Sequence, residues 1–208
     1  IPTVLMGRDV LGVAQTGTGK TAGFTLPLLD ILSGSRARAR MPRSLILEPT
    51  RELALQVAEN FVKYGKHLNL THALLIGGES MDEQRAVLEK GVDVLIATPG
   101  RLLDLFDRGR ILLADVKVLV IDEADLIFSY GHDEEVKAIL RDGYLPRKYQ
   151  TFLMSATLSD DIETLQGLVL KEPVVLKLEN DTSLAQQLLI RALIAKLWRE
   201  PQDGKFVR

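Results

Sequence analysis

The sequence predicts an α/β domain, a mostly parallel sheet with helices on both faces. Three observations carry this. Short apolar runs alternate with helix-period patterns along most of the chain. Several of those runs are apolar on both faces, as buried parallel strands are. Strand–helix repetition of this kind winds into a parallel sheet, whose ligands bind at the carboxyl ends of the strands.

In chain order the candidate strands are Val10–Ala14, Ser44–Glu48, His72–Ile76, Asp93–Ala97, Lys117–Ile121, Thr151–Ser155 and Val174–Lys177. Between them the spacing predicts helices over Lys20–Leu32, Arg51–Lys66, Met81–Lys90, Arg101–Asp107, Asp133–Arg141 and Asp160–Gly167. Thr50, Ser80 and Ser159 stand where N-caps belong. Ser33–Arg43 is polar and basic and reads as a solvated loop, with a phosphate-contacting loop as the alternative. Ser183–Glu200 reads as an apolar helix that needs a surface to pack on, the domain itself or a second copy; oligomeric state stays open.

At 208 residues, 46% apolar and 26% charged, the chain is an ordinary globular sequence. It contains no cysteine, which excludes a disulfide scaffold and a Cys-based zinc site. No uncharged apolar stretch is long enough to span a membrane, and no secretory signal opens the chain. These features point to a cytoplasmic compartment, or a nucleolar one in a eukaryote. Ile1 is not a start methionine, which points to a processed chain or a fragment. The formal net charge of −2 argues against a broadly basic nucleic-acid binder but leaves room for a local basic surface.

The segment Ala14–Thr21, AQTGTGKT, follows a candidate strand and precedes a helix, the context a phosphate-binding loop requires. Gly17 and Gly19 let backbone N–H groups turn toward a polyphosphate, together with Gln15, Thr16 and Thr18. Lys20 supplies a charge for the β- and γ-phosphates, and Thr21 a hydroxyl for Mg²⁺. Ala14 stands where the general pattern has its first glycine. The alternative is a Gly-rich turn that only joins strand to helix.

Val118–Asp125, VLVIDEAD, is an apolar strand ending in two carboxylates. Asp122 is placed to hold Mg²⁺ and Glu123 to orient or deprotonate an attacking water. Two carboxylates beside a polyphosphate repel it unless a cation intervenes, so Mg²⁺ is part of the reading. Taken alone, Asp122 is equally an N-cap. Together the two motifs predict hydrolysis of a nucleoside triphosphate.

The letters of Asp122-Glu123-Ala124-Asp125 spell a family name, and the chain resembles the first RecA-like, P-loop NTPase domain of DEAD-box ATP-dependent RNA helicases. AQTGTGKT (14–21), PTRELA (49–54), GG (77–78), TPGR (98–101), DEAD (122–125) and SAT (155–157) occur in the family's order. The resemblance covers about residues 1–180 and implies the ATP-binding half of a helicase that separates short RNA duplexes. It implies that Thr50, Arg51, Gly78, Thr98, Gly100 and Arg101 grip the RNA sugar–phosphate backbone without reading bases. Read alone, Thr50 and Thr98 are helix caps, and Arg51 and Arg101 surface ion-pair partners. It implies that Ser155 and Thr157 couple ATP state to strand separation, with Asp125 as their hydrogen-bond partner.

Some family features are missing. Of the adenine-reading region upstream of the loop only Ile1-Pro2 remains. Residues 181–208 resemble the connection to a second RecA-like domain, which carries the family's stabilising arginine and is absent from these residues. Nucleotide binding with very slow hydrolysis is therefore expected of these residues alone. His132 stands where the family usually has Phe after Gly, and reads as a partly exposed position tolerant of either ring. Residues 41–101 are similar to the bacterial RhlE-like branch, and 119–178 to the eukaryotic nucleolar branch. A nucleotide-gated RNA- or protein-binding module, and a DNA-directed ATPase, are the alternatives.

Overall fold

The computed structural model describes residues 1–15, 17–34, 41–109, 111–141 and 143–178. The predicted helix 183–200 lies outside them. In chain order the elements are α1 (Pro2–Leu5), β1 (Val10–Val13), α2 (Lys20–Ser33), β2 (Ser44–Leu47), α3 (Arg51–Tyr64), β3 (His72–Leu75), α4 (Met81–Glu89), β4 (Val94–Ala97), α5 (Pro99–Asp107), β5 (Val118–Ile121), α6 (Ala124–Ser129), α7 (Asp133–Ile139), β6 (Gln150–Ser155), α8 (Asp160–Val169) and β7 (Val174–Lys177).

The strands pair in parallel throughout, in the order β3-β4-β2-β5-β6-β1-β7. Alternation along each strand sorts its side chains into two cores. Leu45, Leu47, Leu119, Ile121 and Leu153 face α4 through α8. Ile46, Val94, Val118, Val120 and Phe152 face α2 and α3. One more residue of alternation past Leu47 and Ile121 turns Glu48 and Asp122 to the α2/α3 face.

The three expected N-caps are in place. Thr50, Ser80 and Ser159 each accept a hydrogen bond from the backbone N–H three residues on, those of Leu53, Glu83 and Ile162. Two short helices were not legible in the sequence. α1 is one turn begun by Pro2, and α6 is too short to show a helical period. α5 starts at Pro99 rather than Arg101, because proline at the first turn needs no N–H partner.

The amino edge of the sheet is fastened by buried charge. Arg43 belongs to no solvated loop; it is only 2% exposed, with Ser44 next in line starting β2. Its Nε and Nη2 donate to Asp93 Oδ1 at 3.0 and 2.7 Å, and its Nη1 donates to Leu32 O at 3.0 Å. Asp93 Oδ2 accepts from the Thr71 N–H and hydroxyl at 2.9 and 3.1 Å. One buried ion pair thus ties the end of α2 to the entries of β2, β3 and β4. Asp9 does the same beside β1, accepting from the N–H groups of Thr151 and Lys171 at 2.8 and 2.7 Å.

Removing one member of a buried pair leaves the other charge without compensation, which costs about 3–5 kcal/mol. Asp93→Ala is expected to lower stability by that amount, read as a denaturant midpoint, with nucleotide-site geometry unchanged in whatever fraction remains folded.

Candidate nucleotide site and strand-tip surface

β1 delivers the chain into a loop that turns back through Gly17 (φ 84°) and Gly19 (φ 90°), both left-handed. An L side chain at Gly19 would meet open space, so conformation alone requires glycine there. The loop is braced by the Thr18 hydroxyl, which donates to Gln15 O at 2.7 Å. α2 starts at Lys20, and the N–H groups of its first turn face the loop without a side-chain cap.

Gly17, Gly19, Lys20, Thr21 and Ala22 line one wall of a cleft of about 360 Å³. Asp122, Glu123 and Glu48 line the second wall, and Leu53, Gln56, Val57, Asn60 and Tyr64 of α3 the third. The predicted phosphate and acidic motifs therefore meet in one place. Gln15 and Thr18 shape the loop without lining the cleft, and Thr16 lies outside the described residues.

Lys20, a residue only 8% exposed, reaches Glu123 Oε2 with its ammonium at 3.4 Å. Glu123 adopts a left-handed backbone (φ 46°), a conformation costing a non-glycine residue about 1–2 kcal/mol. It is held there by its own N–H donating to Asp122 Oδ1 at 2.8 Å and by α6, whose Leu126 and Ile127 N–H groups donate to its carbonyl. Burial, and then the neighbouring Glu123 charge, raise the Asp122 carboxyl to about 6. Burial, and then the Asp122 charge, push the Glu48 carboxyl well above the usual carboxylate range.

A second group gathers on the tips of β3, β4 and β2. Arg51 Nη2 donates to Glu79 Oε1 at 3.1 Å, and its Nη1 donates to Gly77 O at 3.4 Å. Arg101 Nη2 donates to Glu79 O at 3.1 Å. Gly78 (φ 80°) makes the turn between them, and a Cβ there would stand 3.3 Å from Arg51 Nη1. Thr50 caps α3 through its side chain, whereas Thr98 caps α5 without a side-chain hydrogen bond. Gly100 lies in the first turn of α5, where a Cβ would find ordinary space. The expected surface residues thus share one edge of the sheet.

The third group joins α6 to β6, but not as expected. Asp125 Oδ1 accepts from the Ala156 N–H at 3.4 Å, not from Ser155 or Thr157. The Thr157 N–H donates to Ser155 Oγ at 3.3 Å. A carboxylate facing a strand end finds the exposed backbone N–H before it finds a hydroxyl. His132 is half-buried, with Nδ1 3.6 Å from Glu135 Oε1.

A family model described as DEAD/DEAH box helicase matches residues 1–165. The chain belongs to the DEAD/DEAH box helicase family. It is 42% identical over 182 residues to the ATP-dependent RNA helicase DeaD of Buchnera aphidicola, covering 87% of this chain and 30% of that protein. It is 41% identical over 196 residues to the mouse ATP-dependent RNA helicase DDX54, covering 94% of this chain and 22% of that protein. The chain therefore spans less than a third of either relative. A DEAD box protein from Methanococcus jannaschii superposes with a TM-score of 0.79 at 32% identity, over 86% of this chain and 47% of that one. The yeast DEAD-box splicing factor Prp28 gives 0.78 at 34%, over 85% and 42%. The RecA-like fold expected from the sequence is thus that of solved DEAD-box proteins. No helix among the described residues is long and apolar enough to cross a membrane.

The motif reading of this DEAD-box domain missed Glu48. A signal was present, since SLILE, like VLVIDE, is an apolar strand ending in a carboxylate. It also missed Gln56, Asn60 and Tyr64, which recur on the α3 face turned to the cleft. Among the described residues no group of three or more His, Cys, Asp or Glu is arranged to hold a metal by itself. The oxygen donors of Thr21 and Asp122 do fit Mg²⁺, which is commonly held by one or two carboxylates together with substrate phosphates.

A carboxyl raised in the folded state binds more protons than in the unfolded chain, so it stabilises least when ionised. Stability from Asp122 is present below about 4 and lost as pH rises through about 6. Asp122→Asn is expected to match the wild type near pH 4 and exceed it at pH 8, by on the order of 1–3 kcal/mol in urea melts without nucleotide. Equal midpoint differences at the two pH values would contradict the burial argument.

Proposed function

We propose that this domain is the ATP-binding half of an RNA-dependent ATPase that opens short RNA duplexes through sequence-independent backbone contacts. The observation carrying this is the meeting of Lys20, Thr21, Asp122 and Glu123 in one cleft, beside a strand-tip surface bearing Arg51 and Arg101.

The loop N–H groups and the start of α2 hold the polyphosphate. Lys20, which rests on Glu123, exchanges that carboxylate for phosphate oxygens. Glu123 is thereby freed to orient water and accept its proton. Thr21 and Asp122 would hold Mg²⁺, which when bound would supply positive charge beside the phosphates. Arg51 and Arg101 take RNA phosphates in place of Glu79, while Thr50 and Thr98 offer hydroxyls and the turns at Gly78 and Gly100 offer backbone N–H groups. Asp125, through Ala156, links the acidic motif to Ser155 and Thr157, so that a shift at the cleft reaches β6.

One observation favours a second reading, a nucleotide-gated binding module without turnover. Lys20 is the only cation among the described residues lining the cleft. Phosphoryl transfer in P-loop enzymes gains about 10³–10⁵ in rate from an added arginine.

Saturating Mg²⁺-ADP at 100 times its Kd should add about 2.7 kcal/mol, a rise in thermal midpoint of about 5–11 °C. Lys20→Ala is expected to abolish the rise, and its absence in the wild type would overturn both readings. Adding a second helicase domain in trans then separates them. RNA-stimulated hydrolysis that Glu123→Gln lowers by about 10²–10⁴-fold supports the enzyme, and silence supports the module.

A further inference from the structure

Glu48 has no part in the phosphate grip, the proton transfer or the arginine surface, yet it is fully buried in the cleft wall, at 0% exposure. β2 and β5 pair with Leu47 opposite Ile121, so Glu48 and Asp122 stand level on adjacent strand tips and turn to the same face. Their backbones are fixed there. The Glu48 N–H donates to Ala97 O, and the Asp122 N–H donates to Leu47 O, each at 3.0 Å.

Neither Glu48 oxygen receives a hydrogen bond from an N–H or hydroxyl among the described residues. The Asp122 carboxyl is in range to share a proton, but it donates nothing while both groups are ionised. Lys20, the cation of the cleft, is bonded to Glu123. The cleft therefore sets three carboxylates against one ammonium. A buried carboxylate without donors costs several kcal/mol, and the nearest neighbour makes this one worse. As packing alone the position has no rationale, since an amide or a small apolar side chain would fill it without that cost. Carboxylate oxygens turned toward a polyphosphate cleft are the acceptors that the bound waters of a divalent cation need.

We propose that Glu48 is a second carboxylate of the divalent-cation site, facing Asp122 and holding the cation through its bound water. This rests on the nucleotide–cation reading above. With no three-ligand cage among the described residues, Glu48 acts from outside the direct ligands, as a positioning residue. It also has a signed consequence. Ionised and without a cation, Glu48 repels the phosphates; with one, it helps retain them. Nucleotide affinity is thus tied to the cation more tightly than Asp122 alone would tie it.

The test is the affinity of the 208-residue chain for a fluorescent ADP, in millimolar Mg²⁺ and in EDTA, at pH 8. The ratio of the two affinities is the readout, which packing damage would not change. Glu48→Gln and Glu48→Ala are expected to shrink the ratio by about 10–100-fold, weakening binding in Mg²⁺ while leaving or improving it in EDTA. Both are expected to melt at or above the wild-type midpoint. Asp122→Asn is the control for the underlying site. If the wild type and Asp122→Asn show equal ratios, the cation site itself is wrong and the role of Glu48 falls with it. If Asp122→Asn collapses the ratio and Glu48→Gln leaves it at the wild-type value, only the role of Glu48 is refuted. Loss of folding in both Glu48 variants refutes it as well, since the carboxylate would then be a structural requirement.

Discussion

Parallel pairing between β2 and β5 is the constraint on which the rest of the site depends. Because every strand runs the same way, every connection must recross the sheet, and every carboxyl end emerges on one edge. The β2–β5 register then decides which residues emerge side by side. A slip of either strand by one residue would turn its carboxylate, Glu48 or Asp122, into the α4–α8 core and bring Leu47 or Ile121 to the cleft. The buried apolar runs forbid that slip from both sides. The strength of the hydrophobic register is therefore what allows carboxylates to be held close together against their repulsion.

The same edge serves two surfaces. The nucleotide cleft uses the tips of β1, β2 and β5, and the arginine surface those of β2, β3 and β4. β2 belongs to both. Glu48 ends it inside the cleft, and Thr50 and Arg51 follow within three residues on the outer surface. A displacement of this one strand tip is felt on both sides without an intervening element. The link on the other side runs from Asp125 through Ala156 to β6, which lies between β5 and β1.

Much of this was legible in the sequence, because the signals were strong and local. Each strand appeared as an apolar run, and the caps at Thr50, Ser80 and Ser159 were correct because an oxygen three residues before a free N–H is a short-range matter. The loop and acidic motifs located Lys20, Thr21, Asp122 and Glu123. What was not legible depended on partners distant in the chain. Arg43 looked like part of a basic loop because Asp93, its counter-ion, lies fifty residues on. Glu48 looked like the polar end of a strand until the register placed it against Asp122. Asp125 was matched to the right segment but the wrong atom, since a backbone N–H leaves no mark in the sequence.

The two edges of the sheet hold their charges on opposite terms. On the amino edge Asp9, Asp93 and Arg43 are buried and fully engaged by N–H groups, a hydroxyl, a carbonyl and one another. On the carboxyl edge Glu48, Asp122 and Glu123 are buried beside one another, and Glu48 receives no N–H or hydroxyl among the described residues. In a living cell, where a loss of 1–2 kcal/mol changes abundance several-fold, the two edges would reveal themselves differently. Substitutions on the amino edge would reduce how much of the protein is present. Neutral substitutions of Glu48 or Asp122 would leave its quantity intact or raised, and alter only what each molecule can do.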